Sequence, residues 1–181
     1  DTSGNTGTDS AGHISVLVDQ ASINATVPSV TFNANGVSTG NGGTINYQPT
    51  KIVALAAPTV NISANGPSGY INFNPRASAT TWGDASITST TFNLTANAPT
   101  TGTANAGTIF LGFNNSTFAA NTKMKFSAVG PTTGSGNGGS ITVFPGNVTG
   151  GTFKLGTNAG NLQVLANAGS RWVVKLLKIL R

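Results

Sequence analysis

The chain has no cysteine, no glutamate and a single histidine, His13, in 181 residues, and its four acidic side chains are Asp1, Asp9, Asp19 and Asp84. Charged residues make up 7% of it, against about a quarter of an ordinary soluble domain. Each shortage removes a class of function. Without cysteine there is no disulfide and no thiolate metal site, and the redox compartment stays undecided. One histidine and four dispersed aspartates leave too few groups for a metal cluster or for the carboxylate pair of a glycosidase. A Ser/His/Asp arrangement is formally possible and nothing more supports it. The expectation is therefore a non-enzyme with no cofactor and no metal. No apolar run reaches the roughly 18 residues of a membrane span, so the chain reads as soluble. The net charge is +5, yet four of the nine cations lie in the last eleven residues, which leaves the body at 5 − 4 = +1. Five cations scattered over that body, with no aromatic-basic platform, argue against nucleic-acid binding.

What the chain has instead is Gly, Ser, Thr and Asn around regularly placed apolar residues, at 38% hydrophobic content. That content is too high for a disordered polar tract. An opening motif, Gly-x-Ile-x-apolar, occurs five times: Gly12 to Val16, Gly43 to Tyr47, Gly69 to Phe73, Gly107 to Leu111 and Gly139 to Val143. Its isoleucines are 31, 26, 38 and 32 residues apart. A closing motif, apolar-x-apolar-x-Ala, follows in each unit as Val30-Phe32-Ala34, Val60-Ile62-Ala64, Phe92-Leu94-Ala96, Met124-Phe126-Ala128 and Leu162-Val164-Ala166. Period-two spacing places each trio on one strand face, and the invariant third alanine suits a tight inward bend. Turn residues follow it, as in Asn35-Gly36 and Asn65-Gly66.

Between the two motifs lies a weaker third element, centred on Ile23, Ile52 to Leu55, Ile87, Phe118 and Phe153 with Leu155. Three strands and three corners per unit predict an all-β parallel β-helix, or β-solenoid, of about five three-stranded coils. Each strand would pair in parallel with its equivalent in the next coil, and inward residues would stack into ladders. At about 4.8 Å per coil the rod would be roughly 24 Å long. A sandwich of antiparallel hairpins is the competing fold, but it has no reason to repeat its strands in threes. The longest unit carries its extra residues in Pro75 to Asp84 and Pro99 to Asn105, corner loops where added length costs little.

The openings Gly42-Gly43-Thr44-Ile45 and Gly138-Gly139-Ser140-Ile141, with the run Val60-Asn-Ile-Ser-Ala-Asn-Gly66, resemble the repeats of filamentous-haemagglutinin-type bacterial exoproteins and adhesins. The resemblance covers roughly residues 11 to 169. It implies a parallel β-helix placed outside the cell or on its surface, with a structural or adhesive role and no catalysis. This chain is far shorter than those proteins and ends differently.

Composition changes abruptly at Ser170. The last eleven residues, Arg171 to Arg181, lack Gly, Ser, Thr and Asn, and at 100° per residue they form a short amphipathic helix with Ser170 as N-cap. Trp172, Val173, Leu176, Leu177, Ile179 and Leu180 share one arc, opposite Arg171, Lys175, Lys178 and Arg181. The plainest reading is a helix capping the last coil, since bare strand edges invite pairing. The sharper one makes Arg171, Trp172, Lys175, Leu176, Lys178, Ile179 and Arg181 a contact face for a partner or an anionic membrane surface. An appended foreign peptide is a third reading. Three regions follow: a polar segment 1–10, a solenoid 11–170 and the cationic helix 171–181.

Residues 1–10 are too polar to bury a face, so the first coil is expected to be open to another molecule's last coil, giving a filament. His13 alternates outward and reads as a surface residue. Lys51, Arg76 and Asp84 read as solvated charges on the wall. Six Asn-x-Ser/Thr sequons in so Asn-, Ser- and Thr-rich a chain carry no signal. Thr-x-Thr pairs raise an ice-binding alternative, weakened because Thr6/Thr8, Thr88/Thr90 and Thr101/Thr103 do not share a coil position. The sequence therefore points to an extracellular adhesin or fibre segment, with a self-assembling filament subunit as the alternative. Its partners would be itself or a host or cell-surface ligand.

Overall fold

The computed structural model describes residues 1–4, 9–17, 27–49, 52–75, 83–119, 122–145, 152–154, 162–168 and 171–172; among these the chain is all β, with no helix. The first unit contributes β1 (His13–Val16) and β2 (Ser29–Asn33). The second has β3 (Thr44–Tyr47), β4 (Ile52–Leu55) and β5 (Thr59–Ser63). The third has β6 (Tyr70–Phe73), β7 (Asp84–Ile87) and β8 (Thr91–Thr95). The fourth has β9 (Thr108–Phe113), β10 (Asn115–Phe118) and β11 (Lys123–Ser127). The fifth has β12 (Ser140–Pro145), β13 (Thr152–Lys154) and β14 (Leu162–Leu165), and a short pair, β15 (Asn167–Ala168) and β16 (Arg171–Trp172), follows. The middle strand expected around Ile23 lies outside the described residues.

The strands assort into three sheets ordered β1-β3-β6-β9-β12, β4-β7-β10-β13 and β2-β5-β8-β11-β14. Every neighbouring pair in them is parallel, which excludes the sandwich of hairpins. Parallel strands ordinarily need a long crossover. Here the chain returns to each sheet by running through the other two, so corners suffice and the architecture is solenoid-like.

Register follows the motifs. Ile14, Ile45, Ile71, Ile109 and Ile141 pair in succession, and on another wall Val30, Val60, Phe92, Met124 and Leu162 do the same. Strand burial alternates as period two requires: in β5 and β8 the second and fourth residues are buried and their neighbours half-exposed. The interior holds an aromatic column in which Tyr47 lies parallel to Phe73 at 5.0 Å between centroids, and Phe73 meets Phe92 and Phe113 edge-on at 5.5 and 5.8 Å. Such offset and edge geometries suit the ring quadrupoles.

The closing alanine and opening glycine meet at one corner. Gly43 N–H donates to Ala34 O, Gly107 N–H to Ala96 O and Gly139 N–H to Ala128 O, each at 2.8 Å. A Cβ on Gly107 would run into the carbonyl of Gly69, and one on Gly139 into that of Gly107. The opening glycine is thus required by backbone approach between coils. Beside it runs an asparagine ladder: Asn35 Oδ1 accepts from Asn65 N–H at 2.8 Å, Asn65 Oδ1 from Asn97 N–H at 2.9 Å and Asn97 Oδ1 from Val129 N–H at 2.8 Å. These bonds satisfy corner N–H groups that no strand ladder reaches.

At the far end the structure corrects one expectation. Arg171 and Trp172, read as the first residues of a helix, form β16 and pair antiparallel with β15 in the register Asn167↔Trp172 and Ala168↔Arg171. At Arg171 and Trp172 strand pairing overrides the helical pattern. Residues 173–181, with Lys175, Leu176, Lys178, Ile179 and Arg181 among them, lie outside the described residues.

Candidate functional site

Three surfaces stand out: an open coil end, a polar wall and a stacked loop ledge. At the end of the first coil, β1 and β2 are sheet edges. The inward residues of this coil, Ile14, Val16, Val30 and Phe32, are only half-buried, whereas their equivalents Ile45, Tyr47, Val60 and Ile62 are buried. Leu17 and Val27 are 70% and 48% exposed. In a parallel strand alternate residues direct their backbone groups to opposite sides. Thr44 N–H bonds to Gly12 O and Gln48 N–H to Val16 O, so the backbone groups of His13, Ser15 and Leu17 face the open side. By the same alternation Ser29 and Thr31 do so on β2, since Thr59 N–H bonds to Pro28 O.

One corner of that end is occupied. Thr2 N–H donates to Asn33 O and Gly4 N–H to Asn35 O, both at 2.8 Å, as Ala34 and Gly36 bond to Ser63 and Asn65 one coil further on. Gly12 N–H returns to Thr2 O at 2.8 Å. Thr2 therefore stands at the alanine position of a preceding rung. Its Oγ1 is buried and finds no hydrogen-bond partner among the described residues, the penalty for a hydroxyl where the pattern wants a methyl. The composition of residues 1–10 gave no sign of this docking; the backbone makes it, and backbone is indifferent to side-chain polarity.

The wall of β2, β5, β8, β11 and β14 carries two outward rows, Ser29–Thr59–Thr91–Lys123 and Thr31–Asn61–Asn93–Lys125–Gln163. Asn93 Nδ2 donates to Asn61 Oδ1 at 2.9 Å across the coils. Lys123 and Lys125 are exposed and interrupt the hydroxyl and amide rows, so this wall is not a uniform threonine array.

The ledge comes from two corner loops with one sequence pattern, Ala98-Pro-Thr-Thr-Gly-Thr-Ala-Asn-Ala-Gly107 and Gly130-Pro-Thr-Thr-Gly-Ser-Gly-Asn-Gly-Gly139. They stack: Thr132 N–H and Oγ1 both donate to Thr100 O at 2.9 Å, Gly102 N–H donates to Thr133 O at 3.0 Å, and Asn137 N–H to Asn105 Oδ1 at 2.8 Å. Gly102 and Gly134 hold φ at 109° and 118°, which L side chains rarely adopt. Thr100 to Thr103 and Thr132 to Ser135 are exposed. The ten-residue Pro-Thr-Thr-Gly recurrence is the signal that would have located this ledge from sequence.

The titratable groups do not converge. Among the described residues no three of His, Cys, Asp and Glu form a group that could hold a metal ion. His13 is exposed on β1 with Nε2 3.3 Å from Asn46 Nδ2. Asp84 opens β7 and its Oδ1 accepts from Asn114 Nδ2 at 3.2 Å. Lys51 and Arg76, read with it as solvated charges on the wall, lie outside the described residues. Tyr47 is buried and its hydroxyl has no hydrogen-bond partner among the described residues, and that burial pushes its ionisation well above the usual tyrosine range. It is a packing residue of the aromatic column. Compared with known proteins, the chain matches no protein family, no curated protein and no solved structure.

Proposed function

We propose that the chain is a non-enzymatic structural or adhesive module of the extracellular or cell-surface kind, a segment of an adhesin or fibre. The observation that carries this reading is the division of labour across each strand: continuous apolar ladders inside, and hydroxyl and amide rows at coil spacing outside, with dispersed titratable groups. A wall of that kind offers many weak, regularly spaced hydrogen bonds to a surface and little to a small-molecule reaction. The resemblance of the Gly-x-Ile repeats to filamentous-haemagglutinin-type exoproteins supports the same reading. The test is detachment under shear of beads coated with the chain from hydroxylated glass and from polysaccharide gel. Beads carrying Asn61→Asp with Asn93→Asp should detach at lower shear, because like charges at coil spacing break the amide row. Adhesion no greater than that of beads coated with an unrelated β protein of similar charge would overturn it.

A second reading, end-to-end association of copies, is favoured by the first coil, where half-buried apolar residues lie beside strand edges that are unpaired among the described residues. Thr31→Pro removes an N–H on the open side of β2 and leaves the β2–β5 ladder intact. Under this reading the chain forms concentration-dependent fibres in electron micrographs and sedimentation runs, and the proline variant shortens them. Uniform monomers at all concentrations would refute it.

A further inference from the structure

Four Asn-Gly dipeptides occur, at Asn35-Gly36, Asn41-Gly42, Asn65-Gly66 and Asn137-Gly138. Asn-Gly is the sequence in which a backbone amide nitrogen most easily reaches the preceding side-chain carbonyl, because glycine offers no side chain in the way. Three of the four are held by the coil stack. Gly36 N–H donates to Asn65 O at 2.8 Å, Gly66 N–H to Asn97 O at 2.7 Å and Gly42 N–H to Pro67 O at 3.0 Å. Asn35 and Asn65 are further fixed because their Oδ1 atoms accept the next rung's N–H. Asn137 differs from all three in the attacking group: Gly138 N–H finds no acceptor among the described residues. The side chain of Asn137 is exposed, as that of Asn41 also is, and among the described residues its Oδ1 receives no hydrogen bond, unlike those of Asn35 and Asn65. Its own N–H and carbonyl are tied back to Asn105 Oδ1 and Ala106 N–H at 2.8 and 3.0 Å. Among the described residues, the side chain and the following amide thus end the ledge's asparagine ladder.

We infer that Asn137 is a site of spontaneous deamidation, and that the coil stack protects the other three asparagines. The Gly138 nitrogen attacks Cγ of Asn137; the new C–N bond closes a five-membered imide while the Cγ–Nδ2 bond breaks and ammonia leaves with the proton from Gly138. Water then opens either imide carbonyl, giving aspartate or isoaspartate, with no change of oxidation state. The attacking amide must lose its proton, so the reaction accelerates as pH rises above neutrality. The product places a carboxylate on the exposed ledge and lowers the net charge from +5 by one.

The test is to incubate the folded chain at mildly alkaline pH and map peptides by mass spectrometry over time, beside a sample held unfolded in urea. In the folded chain conversion at Asn137 should run at least about tenfold faster than at Asn35, Asn41 or Asn65, since the held sites must first open locally. In urea all four should convert at similar rates. Gly138→Ala should slow conversion at Asn137 and leave the other three sites unchanged. Equal rates at the four sites in the folded chain would overturn the inference. So would an Asn137 that stays intact while the urea sample converts.

Discussion

Replacing Ala96 by leucine probes the inward register at its tightest point. Ala96 is fully buried; its N–H donates to Ser127 O and its carbonyl accepts from Gly107 N–H, both at 2.8 Å. Ala64 and Ala128 lie one coil step, about 4.8 Å, to either side. The opposing surface is an opening glycine: at the equivalent corner, a Cβ on Gly139 would already come within 3.0 Å of the Ala128 Cβ. Three more carbons would crowd this fully buried corner, so Ala96→Leu should cost about 1 to 3 kcal/mol by overpacking. Thr95→Leu, next in the chain but outward and half-exposed, should stay within about 0.5 kcal/mol. Urea unfolding followed by far-ultraviolet circular dichroism reads the difference. With a slope of roughly 1 to 3 kcal/mol/M, the Ala96 variant should lose on the order of 1 M in midpoint. Midpoints are the quantity to compare, because stacked repeats need not unfold in a single step. An unchanged midpoint for Ala96→Leu, or a larger loss for Thr95→Leu, would refute the assignment of inside and outside on this wall.

Asn97→Ala strands two donors, Val129 N–H and Ser127 Oγ, which Asn97 Oδ1 accepts at 2.8 Å each; at this half-buried corner a loss of about 1 to 3 kcal/mol is expected in the same urea assay. Tyr47→Phe removes a buried hydroxyl with no partner among the described residues and should raise stability by about 1 kcal/mol. Because the folded state holds the Tyr47 proton beyond the ordinary tyrosine range, its contribution is fully present below about pH 10 and is lost as pH rises further, when the unfolded state ionises first. Thermal melts between neutral and strongly alkaline pH should show the decline in the parent chain and a shallower one in Tyr47→Phe.

The repeat and its phase were legible in the residues. Gly-x-Ile and apolar-x-apolar-x-Ala recur because each coil presents the same inward positions, and a period-two pattern fixes which side chains share a face before any strand has found its neighbour. That is why Ile14, Ile45, Ile71, Ile109 and Ile141 fall into one ladder as their spacing required. The composition likewise bounded the chemistry, since groups that are not in the chain cannot be gathered by folding. Tertiary structure decided whatever depends on backbone and on distant partners. Thr2 and Gly4 dock on the first coil through main-chain bonds that no side-chain pattern announces, and the glycine after Asn137, unlike those of the other three Asn-Gly pairs, has no N–H acceptor among the described residues. At Arg171 and Trp172 an amphipathic helical pattern yields to pairing with Asn167 and Ala168. A sequence specifies which faces are apolar; which N–H meets which carbonyl is settled only when the coils stack.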